Sequence, residues 1–224
     1  MAEYMIHACL EREWYVNEFL IPSMVEQGID KNNIEIWLDE KRLGNLLSCM
    51  KCFEECGKRG SGRWHLQDDV VISKDFKEKT EMYDEGQVSG FFRYDWQGLT
   101  PQAGVVPGVY MFNSFQCMRI PDDWAGECAN WFFTEAAFME IYADMVKENK
   151  YDDSFYYDYV MEFHNMEYVT NLNPSIVDHI DFLLGGSIVN THRDHLARGD
   201  LWEDEEAYNE IVDKLARRKG RAFL

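Results

Sequence analysis

The stretch Trp64-His65-Leu66-Gln67-Asp68-Asp69-Val70-Val71-Ile72-Ser73-Lys74-Asp75-Phe76 decides the fold. A short apolar run ends in two adjacent carboxylates, an apolar triplet follows, and Ser73 stands where a helix is capped. Each acid at the end of a buried strand loses several kcal/mol of hydration unless a cation or a set of donors replaces the water, so a positive group is expected beside Asp68 and Asp69. In an open α/β sheet the carboxyl ends of strands are also where ligands bind, so position and chemistry agree. The alternative is an exposed acidic turn, common in a chain this acidic.

Upstream, Tyr4-Met-Ile-His-Ala-Cys9 is a short apolar segment that reads as a strand. After Glu11-Arg12-Glu13, the residues Trp14, Val16, Phe19, Leu20 and Val25 fall at helical spacing, with Pro22 as a kink and Gly28 as the stop. Ile34 to Asp39 alternates and ends in an acid, which reads as a second strand. Gly44-Asn45-Leu46 opens a second helix that runs through Cys56 and halts at Gly57 and Gly60-Ser61-Gly62. Two such units before the Trp64 strand predict parallel strands with right-handed crossovers, half of a Rossmann-type nucleotide-binding module. The Gly-rich fingerprint of dinucleotide sites is absent, which argues against an NAD enzyme.

Downstream, a helix is expected from Phe76 to about Tyr83, then a segment Val88 to Phe92 and a long loop from Asp95 to Pro107. Val109 to Phe112 and Phe115 to Ile120 read as paired strands, and Pro121 opens a helical stretch. Trp131 to Glu148 carries the clearest helical period, and Ser154 to His164 is an aromatic helix. Glu167 to Val169 reads as a strand, Gly185-Gly186-Ser187 as a turn, and Glu203 to Lys219 as an amphipathic helix with Tyr208, Ile211, Val212 and Leu215 on one side. The expected division is one α/β domain over residues 1–200, a mixed Rossmann-type sheet with helices on both faces. A helix over 201–224 packs on it or extends from it.

The totals agree with a globular chain: 224 residues, 46% hydrophobic and 15% aromatic. The net charge of −19 repels phosphate backbones and anionic headgroups, so nucleic acid is disfavoured as a partner, though not excluded, and no membrane partner is expected. Arg217-Arg218-Lys219 with Arg221 is a small basic patch that suits a helix end. Cys49, Cys52 and Cys56 fall on one expected helix without a second ligand pair, so they read as reduced thiols and not as zinc ligands. Met1 to Met5 has no basic segment, and no run of about 18 apolar residues occurs, so the expected location is the cytoplasm.

Leu66-Gln67-Asp68-Asp69-Val70 with Ile72-Ser73-Lys74-Asp75-Phe76 resembles the Leu-Glu-Asp-Asp-Val and Ser-x-Asp-Phe signature of GT-A nucleotide-sugar glycosyltransferases, nearest the lipopolysaccharide and collagen galactosyltransferases. In that resemblance the acidic triplet is the family's DxD motif, which holds Mn²⁺ or Mg²⁺ against the donor diphosphate; Gln67 stands where the family has an acid. Pro174-Ser-Ile-Val-Asp-His179 with Gly185-Gly186-Ser187 resembles the stretch that closes the family's catalytic domain. The resemblance therefore implies Asp69, Asp68 and His179 as metal ligands, with His192 and His195 as rivals, and Gln67 and Asp68 toward the nucleotide. It also implies Asp153, with Asp152, as the general base toward an acceptor hydroxyl; simple capping of the Ser154 helix is the alternative. Donor contacts are expected from the loop Ala8 to Arg12, whose arginine can reach phosphate, and from Asp39 at the end of the second strand, unless these are ordinary surface charges.

The expected activity is transfer of a sugar from a nucleoside diphosphate donor, by likeness a UDP-sugar, to a hydroxyl of a glycan, a protein, a small molecule or a modified DNA base. Two rivals stand beside it. A nucleotidyltransferase shares the sheet and the paired acids, but Ala8-Cys-Leu-Glu-Arg-Glu13 lacks the Gly-rich triphosphate loop. An inactive binding or assembly protein with the same fold is kept open by Gln67.

Overall fold

A computed structural model describes residues 2–43, 48–49, 51–52, 55–56, 63–84, 88–89, 104–108, 117–120, 169–173, 175–185 and 204–221. Its first three strands are β1 (Tyr4–Cys9), β2 (Ile34–Asp39) and β3 (Arg63–Gln67). β1 lies between the other two and runs parallel to both, with Tyr4 opposite Ile34 on one side and Trp64 on the other. This is the parallel arrangement that the two leading helical connections dictate. Later segments turn the sheet into a mixed one. These are β5 (Val88–Ser89), β6 (Gly104–Gly108), β7 (Cys117–Ile120) and β8 (Val169–Asn173), and among the described residues the sheet has seven strands in the order β2-β1-β3-β7-β5-β8-β6. β7 runs antiparallel to β3, placing Cys117 opposite Leu66. A separate two-stranded sheet pairs β4 (Val70–Ile72) antiparallel with β9 (Val177–His179).

The helical run after β1 consists of α1 (Glu13–Tyr15), a π turn over Val16–Leu20 and α2 (Ile21–Glu26). Pro22 has no N–H to give to the preceding turn, and the backbone widens into the π turn just before it. Gly28, at φ 83°, ends the run; its N–H bonds Val25 O at 2.8 Å and that of Ile29 bonds Met24 O at 3.2 Å. That pairing is a Schellman motif. Alternation along the strands builds two buried faces. Tyr4, Ile6, Ala8, Trp64 and Leu66 share a core with Tyr15, Val16, Phe19 and Leu20, whereas Val25 faces solvent, contrary to its expected inner position. On the other face lie Met5, His7 and His65, and Ser48 Oγ meets His7 Nε2 at 2.6 Å. Cys49, Cys52 and Cys56 are helical, buried and in thiol form. Burial, then the neighbouring Cys56 and Cys49, pushes the Cys52 thiol up, so it stays protonated, as a reduced structural thiol does.

Two local expectations are corrected. Ser73 does not cap the next helix, α3 (Phe76–Met82); Asp75 holds the cap position, and Ser73 donates its hydroxyl to Asp75 at 2.6 Å while its N–H bonds Ile176 O. That bond to Ile176 lies next to the last β4–β9 pair, Ile72 with Val177. The loop expected from Asp95 to Pro107 is replaced at its end by β6, which pairs with β8. Its Gly and Pro residues signal a turn, but among the described residues β6 is an edge strand, where a missing N–H is tolerated, and Val105-Val106 favour extension. The expected strand at 109–112 and the expected helices at 121, 131–148 and 154–164 lie outside the described residues. The strand expected to end at Val169 is seen from Val169 onward.

α4 (Glu205–Arg221) belongs to the same core: Ala207, Ile211 and Leu215 are buried within it. Asp204 bonds the N–H groups of Ala207 at 3.0 Å and Lys74 at 2.7 Å, tying the helix start to the segment after β4. Among the described residues, no helix is long and apolar enough to cross a membrane.

Candidate site at the carboxyl ends of the parallel strands

Asp68 and Asp69 form the turn between β3 and β4, beside the end of β1, and both are buried. Asp68 Oδ2 accepts the backbone N–H of Cys9 at 2.7 Å, so the last residue of β1 orients the first acid. Arg12, in the turn that follows β1, places Nη1 against Asp68 Oδ1 at 3.2 Å and against Asp69 Oδ2. The arginine is itself buried, and the two acids hold it further above its ordinary range although burial opposes them. The cation expected beside the acids is thus supplied, in part, by the chain.

The second positive group comes from β9. Val70 sits opposite His179 in the β4–β9 ladder, and the N–H of Ile180 bonds Asp69 O at 2.8 Å. The register delivers His179 Nε2 to 3.2 Å from Asp69 Oδ2. Burial alone would raise the carboxyl of Asp69, but His179 and then Arg12 outweigh it and hold Asp69 well below the usual carboxylate range. Burial likewise opposes charging of His179, and Asp69 overcomes it, so the imidazole is raised. Asp68 is pushed up, by burial first and the charge of Asp69 second. The two neighbouring acids therefore have opposite tendencies, set by which one His179 touches.

Three residues of this corner were not singled out from the sequence. Asp181 is buried, with Oδ1 3.9 Å from His179 Nδ1. The only signal for it is an acid two residues after a candidate histidine. Tyr15 donates its hydroxyl to Val70 O at 2.8 Å, and burial, then Asp69 and Asp68, pushes the phenol up. His7, on the other face of β1, is lowered to about 4 by burial and is neutral at physiological pH. A helical period and a short apolar strand hide both.

Asp39 is buried at the end of β2, and both its oxygens accept the N–H of Leu43, at 3.0 and 2.8 Å. It closes its own loop beside the site. Ala8 is buried in β1, and Gln67, half-buried, ends β3. Asp152, Asp153, His192 and His195 lie outside the described residues.

A hard divalent ion takes carboxylate oxygens and accepts an imidazole nitrogen. Among the described residues, Asp69 Oδ1 is buried with no hydrogen-bond partner, on the carboxylate whose other oxygen faces His179. Asp181 Oδ1 is buried and likewise without one. Asp68, Asp69 and Asp181 against Arg12 leave an excess of two negative charges when His179 is neutral, the form that ligates. One Mn²⁺ or Mg²⁺ would cancel it, so the residues fit such an ion in donor type and charge. Among the described residues, no three His, Cys, Asp or Glu side chains are gathered as ligands round one point, and Arg12 bridges the acids where an ion would sit. Compared with known proteins, the chain matches no family model and no curated sequence.

Proposed function

We propose that the chain is a GT-A type, metal-dependent glycosyltransferase that moves a sugar from a nucleoside diphosphate donor, a UDP-sugar in the first instance, to a hydroxyl acceptor. The observation that carries the reading is the meeting of Asp69 with His179 at 3.2 Å, from segments far apart in sequence, where three parallel strands end. A mixed sheet with an antiparallel strand against the acid-bearing β3 supports it as well. Mn²⁺ or Mg²⁺, held by Asp69, Asp68 and His179, would supply a Lewis acid that neutralises the departing diphosphate.

The chain's own residues do the rest. The Cys9 N–H and Arg12 fix the Asp68 carboxylate, and Tyr15 pins the backbone of Val70, so the acidic turn is held before any ligand arrives. Ala8 to Arg12, Asp39 and Gln67 line the strand ends where the nucleotide would lie. Asp153, with Asp152, takes the proton of the acceptor hydroxyl as the new glycosidic bond forms.

Calorimetric titration of UDP with and without Mn²⁺ tests this, together with a panel of sugar nucleotides assayed for slow hydrolysis. Metal-dependent UDP binding and hydrolysis of one donor are expected; preference for a nucleoside triphosphate would move the chain to the nucleotidyltransferases. Arg12 favours a second reading, since an acid pair already met by an internal cation suits an inactive binding module of the same fold. Absence of any UDP or metal binding is that reading's outcome.

A further inference from the structure

Arg12 makes the contacts that a metal ion in this corner would also make. Its Nη1 spans Asp68 Oδ1 and Asp69 Oδ2, while Asp69 Oδ1, on the same carboxylate, is buried and has no hydrogen-bond partner among the described residues. A guanidinium and a divalent ion are both cations and both seek these oxygens, so they repel each other at such range in a site shielded from water. The acids cannot stand bare either, because two desolvated carboxylates without a counter-ion destabilise the fold. We propose that Arg12 is a tethered counter-ion that offsets part of the charge of the Asp68–Asp69 pair until a divalent cation displaces it from Asp69. This rests on the metal-dependent reading above, but it adds a specific claim: metal and guanidinium exclude one another. The displaced arginine stays attached to the turn after β1, where its own N–H bonds Cys9 O at 3.1 Å. Metal entry is thereby linked to a change in the loop that faces the nucleotide.

The test is calorimetric titration of Mn²⁺ into the full chain, as wild type, Arg12→Ala and Arg12→Gln, with the thermal transition of each checked first. If Arg12→Ala is too unstable to titrate, Arg12→Gln carries the experiment. Both variants are expected to bind Mn²⁺ about tenfold tighter than wild type or better. A stronger negative field alone would also tighten binding, so guanidinium chloride at a non-denaturing concentration is added, with sodium chloride at equal ionic strength as the control. Guanidinium is expected to compete with Mn²⁺ in the variants and to leave wild type unchanged. Equal or weaker Mn²⁺ binding by the variants overturns the displacement, as does an effect of guanidinium no greater than that of sodium. If neither wild type nor variants bind Mn²⁺, the metal-dependent reading falls first and the displacement with it.

Discussion

Two arginines close the two ends of the same three parallel strands. At the amino ends, Arg63 of β3 bonds Glu3 at 2.9 Å and Glu35 at 3.3 Å; at the carboxyl ends, Arg12 meets Asp68 and Asp69. Both arginine side chains are buried, but their partners differ. The side chains of Glu3 and Glu35 are 46% and 36% exposed, whereas those of Asp68 and Asp69 are 9% and 10% exposed. Water can reach both acids of the first pair, so their charge is screened where they meet Arg63. The second pair has little such access and draws on the Cys9 N–H, His179 and Arg12 together, with Asp69 Oδ1 still unmatched among the described residues. Sheet architecture accounts for the amino end. The carboxyl end buries more charge than the amino end does, and the proposed site rests on that surplus.

The contrast can be broken most severely by deleting each arginine. Arg12→Ala leaves two desolvated carboxylates and is expected to cost about 3–5 kcal/mol in a urea unfolding experiment. Arg63→Ala frees two acids that can turn to solvent, so its cost is expected to be smaller, about 1–2 kcal/mol, chiefly lost packing. Equal losses would mean that burial of the partners does not set the difference. Mn²⁺ should restore part of the Arg12→Ala loss and none of the Arg63→Ala loss.

Asp69→Ala probes chemistry at one end only. It is expected to lower metal-dependent hydrolysis of the sugar donor by about a hundredfold or more, about 2.7 kcal/mol of barrier, with the fold retained. Glu3→Ala at the opposite end is expected to leave the rate unchanged. Wild-type hydrolysis by Asp69→Ala would remove the acid pair from the mechanism.

The pH response should also separate the ends. His179 is raised in the folded chain, so its stabilising charge is complete below about pH 6.5 and is lost as pH rises through the folded value. Asp69 is depressed and acts in the opposite sense: its contribution holds above about pH 3.9 and fades only as pH falls through its lowered value. His7, lowered to about 4, also acts only below the window, and Cys9, raised to about 12, only above it. In metal-free protein, the urea midpoint is therefore expected to fall as pH rises above about 6.5, the window in which His179 gives up its proton, and His179→Gln should flatten that slope. A slope that survives the substitution would place the titrating group elsewhere.

The sequence made the half of the site near the start of the chain legible, because it is local. An apolar run ending in two acids is visible in Trp64 to Asp69, and the parallel order of the first three strands follows from the helical period around Trp14 to Leu20. His179 came from a resemblance and not from any pattern of its own, since its partner is chosen by the β4–β9 register, a long-range fact. Arg12 was placed in the right loop but pointed toward phosphate; no local rule says that the loop is short enough to fold its guanidinium back onto Asp68 and Asp69. β6 was missed because edge strands keep the Gly and Pro that elsewhere mark loops. Ser73 misled for a related reason: a hydroxyl before an acid signals a cap, but the Ser73 N–H bonds Ile176 O and Asp75 takes the cap position.

A third arginine gives the exposed limit of the comparison. Arg218, on α4, bonds Glu18 at 3.0 Å and lies over the Trp14 ring at 3.8 Å, with its side chain 42% exposed and that of Glu18 51% exposed. The ion pair faces water, so it contributes little, and most of the effect should come from the guanidinium covering the indole. Arg218→Ala is expected to cost about 0.5–1 kcal/mol, and Arg218→Lys nearly as much, because an ammonium stacks on a ring less well than a planar fork. Glu18→Gln should cost less than either. Urea midpoints of the three variants measure this, and a Glu18→Gln loss as large as that of Arg218→Ala would show that charge, even where water reaches it, outweighs contact. The argument from burial that separates Arg12 from Arg63 would then need another basis.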